Sequence, residues 1–182
     1  MDDATHGNGR AAWIEAAVER YELPLSRYAS RFLGDPDRAR DVVQDTFLRL
    51  CREDRQKLDG RLGEWLYTVC RNRAVDIRRK EERVESLGEA DPSSGPPGPP
   101  RPQPLASLEF GDPRPASAGT SPDLGKALAR LSANQQEVIR LKFQHGLKYK
   151  EIAAVTGLSI SNVGFLIHTA IKEMRATLGG SQ

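Results

Sequence analysis

The chain has 182 residues with 27 Lys and Arg against 25 Asp and Glu, is 38% hydrophobic, and has a mean hydropathy of −0.56. That length holds one medium domain or two small ones, and no apolar run is long enough to cross a membrane, so membrane insertion is not expected. Two cysteines without a CxxC pair (Cys51 and Cys70) and three scattered histidines (His6, His145 and His168) argue against a disulfide framework or a zinc site, and predict a reducing, cytoplasmic setting.

The N-terminus, Met1-Asp2-Asp3-Ala4, is acidic with no apolar stretch behind it, and no signal peptide is expected. A helix over about residues 11–33 places Ile14, Val18, Leu25 and Phe32 inward, with Pro24 as a break or kink. Asp35-Pro36-Asp37 is a helix start, Asp as cap and Pro in the first turn. Ala39, Val42, Val43, Thr46, Phe47 and Leu50 then recur at steps of three and four, the signature of one buried face. Asp41, Gln44, Asp45, Leu48 and Arg49 fall on other faces. Lys57 to Gly63 reads as a loop. A longer helix follows with Leu66, Val69, Cys70, Ala74 and Ile77 inward and Tyr67, Arg71, Asn72, Arg78 and Arg79 outward. Arg71 to Arg83 carries six Lys and Arg against three acids. Both cysteines read as small buried residues.

Residues 86–122 are dominated by Pro, Gly and Ser, and in the stretch Pro96 to Pro104 proline's fixed φ and missing amide donor exclude helix or central strand. A flexible tether is expected between an N-terminal body, 10–85, and a C-terminal body, 123–179. As a flexible chain it would span about 30–37 Å, and as stretched polyproline about 115 Å.

The C-terminal body is also helical. Asp123 or Ser121 caps a first helix with Leu124, Leu128 and Leu131 inward. Ser132 to Gln135 opens a second, running through Val138, Ile139, Leu141 and Phe143. Tyr149 to His168 fits a helix-turn-helix. Ala153 is small where two helices approach, Gly157 sits where the turn needs positive φ, and Leu158 and Val163 close the turn. Ser159 or Ser161 can cap the second helix. Such a unit presents the start of its second helix to base edges, which nominates Ser161, Asn162, Phe165, His168 and Lys172, with Lys148, Lys150 and Arg175 placed for phosphates. From Lys126 onward there are eight Lys and Arg against three Glu.

The two bodies, in this order, resemble regions 2 and 4 of RNA polymerase sigma factors of the extracytoplasmic-function type. The resemblance is carried by Ala39 to Leu50, Trp65 to Arg79, Leu131 to Val138 and Tyr149 to Met174. It implies an all-α fold of two small helical domains joined by a Pro-rich flexible linker. It also implies binding of core polymerase, with Asp41, Gln44, Asp45, Leu48 and Arg49 meeting the β′ clamp helices, and the β subunit as a further partner. The −10 region of promoter DNA would meet Asn72, Asp76, Arg78, Arg79 and Lys80, with Lys57 and Arg61 in the loop that holds a flipped-out base. Trp65 and Tyr67 could stack on single strands, or lie in the core. The C-terminal body would read the −35 element.

Phe165, Leu166, Ile167 and Ile171 give the second helix of the helix-turn-helix a broad apolar face, where the family often carries Lys or Arg nearby. That face either meets thymine methyls or packs on another protein or on the linker. An anti-sigma factor is one possible partner. The alternative function is a stand-alone helix-turn-helix regulator whose N-terminal body is an interaction domain. No catalytic residues, metal ligands or cofactor are expected, because no carboxylate pair or phosphate-cradling glycine loop stands at a workable spacing.

Overall fold

A computed structural model describes residues 3–86 and 122–179, and the expected tether lies outside these residues except at its two ends. The described residues form eight helices and no strand. They belong to two compact units, 1–101 and 102–182.

The first unit contains α1 (Asp3–Leu33), α2 (Pro36–Leu50), α3 (Arg55–Leu58) and α4 (Leu62–Ser86). Helix α1 packs along both α2 and α4, which also pack on each other. Ala17, Leu25, Tyr28, Ala29 and Phe32 form its buried stripe. The Tyr28 ring meets Phe32 and Tyr67 edge-on, at centroid distances of 5.1 and 5.3 Å. Pro24 does not end α1, which runs through it unbroken. The lost backbone bond is outweighed because residues on both sides, Ala17 before and Leu25 to Phe32 after, are anchored in the core.

Asp35 caps α2 as expected, its carboxylate accepting from the Asp37 and Arg38 amides at 2.8 and 3.4 Å with Pro36 in the first turn. Ala39, Val42, Val43, Thr46 and Leu50 are buried, while Phe47 is only half-buried.

Two expectations change beyond α2. The segment 57–63 is not wholly loop: Asp54 caps the one-turn α3 by accepting from the Gln56 amide at 2.9 Å, Gly60 turns the chain at φ 67°, and Gly63 already lies in α4. On α4, Tyr67, Arg71 and Asn72 are buried rather than outward. Because α4 meets both α1 and α2, its buried arc is wider than the single stripe of Leu66, Cys70 and Ala74. The cysteines also divide: Cys70 is buried, whereas Cys51, at the C-cap of α2, is exposed.

The second unit contains α5 (Pro122–Ala129), α6 (Ala133–Phe143), α7 (Tyr149–Thr156) and α8 (Ile160–Gly179), with α8 packed against the other three. Asp123 lies in the first turn of α5, and Ser121 falls outside the described residues. Ser132 and Gln135 form a reciprocal capping box at α6. Every residue from Gln135 to Leu141 is buried, polar ones included. The Gln135 amide nitrogen donates to Thr169 and Glu173 of α8, at 3.4 and 3.0 Å, and that of Gln136 to the Leu131 carbonyl at 2.9 Å. Phe143, expected to continue the inward series, is 62% exposed at the end of α6.

Candidate functional site

Three surfaces carry the residues nominated from the sequence. On α2, Asp41, Gln44, Leu48 and Arg49 are exposed and Asp45 is half-buried. Their spacing of three and four places all five on one helical face. Leu48, at 62% exposure, is an apolar residue on that otherwise polar face. The Asp45 carboxylate is shared: Arg49 approaches at 3.2 Å from one turn on, and Arg73 of α4 at 3.6 Å. Arg73 had no sequence signal, because the pairing spans 28 positions and exists only once α2 and α4 are packed.

The second surface is the outer side of α4 with the turn before it. Lys57, Arg61, Asp76 and Lys80 are exposed. Arg61 pairs with Glu64 at 3.3 Å. Arg78 and Arg79 are half-buried, and Arg78 reaches the Phe32 carbonyl at the end of α1 at 3.5 Å. A cation at the negative end of a helix is favoured, so Arg78 also secures α1. Asn72, at 8% exposure, lies beneath this surface rather than on it. Tyr67, at 1% exposure, has its ring committed to Tyr28 and cannot stack on a base, whereas Trp65 is half-buried. Burial pushes the Tyr67 phenol and the Cys70 thiol upward, the thiol to about 12. Arg38 and Glu81 pair across α2 and α4 and brace the far end of the same unit.

The third surface belongs to α7 and α8. The chain turns through 104° between them, within the range of helix-turn-helix units. Gly157 makes the turn in the left-handed region at φ 76°, and its amide closes α7 on the Ala153 carbonyl. Of the two serines proposed as caps it is Ser159 whose hydroxyl accepts from an α8 amide, that of Asn162, at 3.1 Å. Ile152, Val155, Val163, Ile167 and Ala170 are buried between the helices and the rest of the unit. Ser161, Asn162, Phe165, His168, Lys172 and Arg175 are all exposed, as are Lys148 and Lys150 on the α7 side. Positions 161, 165, 168, 172 and 175 follow one line along α8. The expected broad apolar face is narrower than its sequence: Ile167 is core, Leu166 and Ile171 are half-buried, and Phe165 and Ile160 remain exposed at 65% and 53%. No single helix among the described residues is long and apolar enough to span a membrane, and no group of three or more His, Cys, Asp or Glu side chains there could hold a metal ion.

A four-helix unit with an exposed polar face on α2 and a basic outer helix, and a second unit carrying a helix-turn-helix, are the frame of a DNA-directed transcription protein. The family described as Sigma-70 region 2 matches residues 17–84, and Sigma-70, region 4, matches residues 122–174. The ECF RNA polymerase sigma factor SigL of Mycobacterium tuberculosis is 32% identical over 171 residues, covering 92% of this chain and 90% of the relative. The ECF RNA polymerase sigma factor EcfG of Rhodopseudomonas palustris is 30% identical over 156 residues, covering 85% and 78%. The sigma factor RpoE of Bartonella quintana, solved in complex with the anti-sigma factor NepR, shares the fold at a TM-score of 0.57 and 24% identity, with 92% of this chain and 98% of that one covered. The chain belongs to the extracytoplasmic-function RNA polymerase sigma factors, proteins that bind core polymerase and direct initiation at promoters.

Proposed function

We propose that the two units divide the work of promoter recognition. Residues 10–85 dock on the β′ clamp helices of core polymerase and engage the −10 element. Residues 123–179 read the −35 element and lie against the β subunit, and 86–122 tether the two. The observation that carries this reading is the single face of α2 on which exposed Asp41, Gln44, Leu48 and Arg49 stand together with half-buried Asp45, all outside the buried stripe of the helix. It combines charge for orientation with one apolar residue for burial, the composition of a protein-docking patch.

In the −10 role, Lys57, Arg61, Arg79 and Lys80 neutralise phosphates and Asp76 faces bases from the exposed side of α4. Asn72 and Arg78 act from beneath, shaping that surface. In the −35 role, Ser161, Asn162, Phe165, His168 and Lys172 face base edges, while Lys148, Lys150 and Arg175 hold phosphates. Exposed Phe165 and Ile160 supply apolar contact to thymine methyls or to a protein. The anti-sigma complex of the Bartonella relative supports an anti-sigma factor as a third partner.

The test pairs the full-length chain with core polymerase. Wild type should co-purify with core and redirect start sites in transcription of a genomic promoter library. Gln44→Ala with Asp45→Ala should weaken core binding by about 1–3 kcal/mol while leaving the helical content intact. A wild-type chain that fails to bind core, or leaves start sites unchanged, overturns the proposal and favours a stand-alone regulator.

A further inference from the structure

Helix α1 holds the segment 54–62 at both of its ends. At the leading end, the Arg10 guanidinium donates to two carbonyls, Cys51 O at 2.6 Å and Glu53 O at 2.9 Å. Both oxygens lie just past α2, where helical donors run out and the helix dipole leaves partial negative charge, so a cationic nitrogen that donates to both is well suited to them. At the trailing end, Gly63 backs onto Tyr21: a Cβ there would stand 3.2 Å from the Tyr21 hydroxyl and 3.6 Å from its ring. Arg10 and Tyr21 are eleven positions, about three turns, apart and so share one side of α1. Between the two fixed ends run the Asp54 cap, α3, the positive-φ Gly60, and exposed Lys57 and Arg61. Arg10 precedes the residues matched by the family, which begin at 17.

We propose that α1, through Arg10 and Tyr21, is the brace that fixes the shape of segment 54–62, making both residues positioning residues for base selection at the −10 element. This rests on the reading that the segment meets the non-template strand. A short segment that accommodates an extruded base must present one conformation, since a loosely held pocket accepts several bases alike. Neither Arg10 nor Tyr21 need touch DNA; each acts through the backbone it holds.

The experiment measures transcription by the full-length chain with core polymerase on promoters carrying each of the four bases at each −10 position. Arg10→Ala should lower the preference for the best base by about fivefold at one or two positions and change core affinity by less than about twofold, the scale of losing two charge-assisted hydrogen bonds remote from docking. Arg10→Lys should recover part of that preference. Gly63→Ala should lower it from the other end, and Gly63→Ala combined with Tyr21→Phe should restore it, because the phenolic oxygen is the atom a methyl would crowd most. Unchanged base preference in both Arg10→Ala and Gly63→Ala overturns the brace, as does an equal loss of output on all promoters. Arg55→Ala, Gln56→Ala, Lys57→Ala and Asp59→Ala together test the underlying reading. If they too leave preference unchanged, segment and brace fall together; if they alter it while Arg10→Ala and Gly63→Ala do not, the brace alone falls.

Discussion

Gly157 adopts a conformation that a Cβ makes costly, and the 104° turn between α7 and α8 depends on it. Gly157→Ala is expected to destabilise the second unit by about 1–2 kcal/mol in denaturant unfolding. Ser159→Ala, which removes the hydroxyl that caps α8, should cost about 1 kcal/mol by the same measurement. The two cysteines differ in access, so a thiol reagent should label Cys51 in the folded chain and reach Cys70 only after denaturation, as counted by mass. Cys70 also gives the fold a pH dependence. Its thiol ordinarily ionises at 9.0 and is pushed up to about 12 by burial, partly offset by the Thr46 side chain. The folded state therefore keeps a proton that the unfolded chain releases. The associated stability is intact below pH 9 and is lost progressively toward about 12. Melting temperature should fall more steeply between pH 9 and 10 in wild type than in Cys70→Ala.

At the scale of elements, the helical period was a good guide wherever a helix buries one stripe. The inward set of α2 and its outward set from Asp41 to Arg49 were legible for that reason, as were the Asp35 and Ser132 caps and the Gly157 turn, whose chemistry is local. Burial set by two neighbours was not legible. Tyr67, Arg71 and Asn72 are polar-tipped residues off the main stripe of α4, and only contact of α4 with both α1 and α2 puts them inside. Polar residues were likewise drawn into α6, where Gln135 and Gln136 satisfy carbonyls and side chains that no local pattern announces. Long-range pairs such as Asp45 with Arg73, and Arg10 with the turn after α2, are invisible to any window of sequence. Pro24 carries an intrinsic helix-breaking tendency that tertiary anchoring on both sides outweighs. Pro24→Ala is therefore expected to stabilise the first unit by about 1–3 kcal/mol in denaturant unfolding, since it restores a backbone bond to a helix already formed.

Over the whole molecule the formal charge is only +2, so attraction to DNA depends on where the cations stand rather than on how many there are. If Lys148 and Lys150 hold phosphates as proposed, Lys148→Ala and Lys150→Ala should each reduce the slope of log affinity against log salt by about 1. They should do so without changing which upstream sequence is preferred, whereas Asn162→Ala should relax that preference. The second unit keeps these two properties on different atoms. Ile152, Val155, Val163, Ile167 and Ala170 hold α8 from the inside, and the exposed line from Ser161 to Arg175 takes no part in that packing. If that line reads promoter sequence as proposed, stability and specificity are separable: the outward line can be exchanged for another while the scaffold stands. One duplication and a handful of surface substitutions would then be enough for such a chain to acquire a new set of target genes, without first passing through an unfolded ancestor.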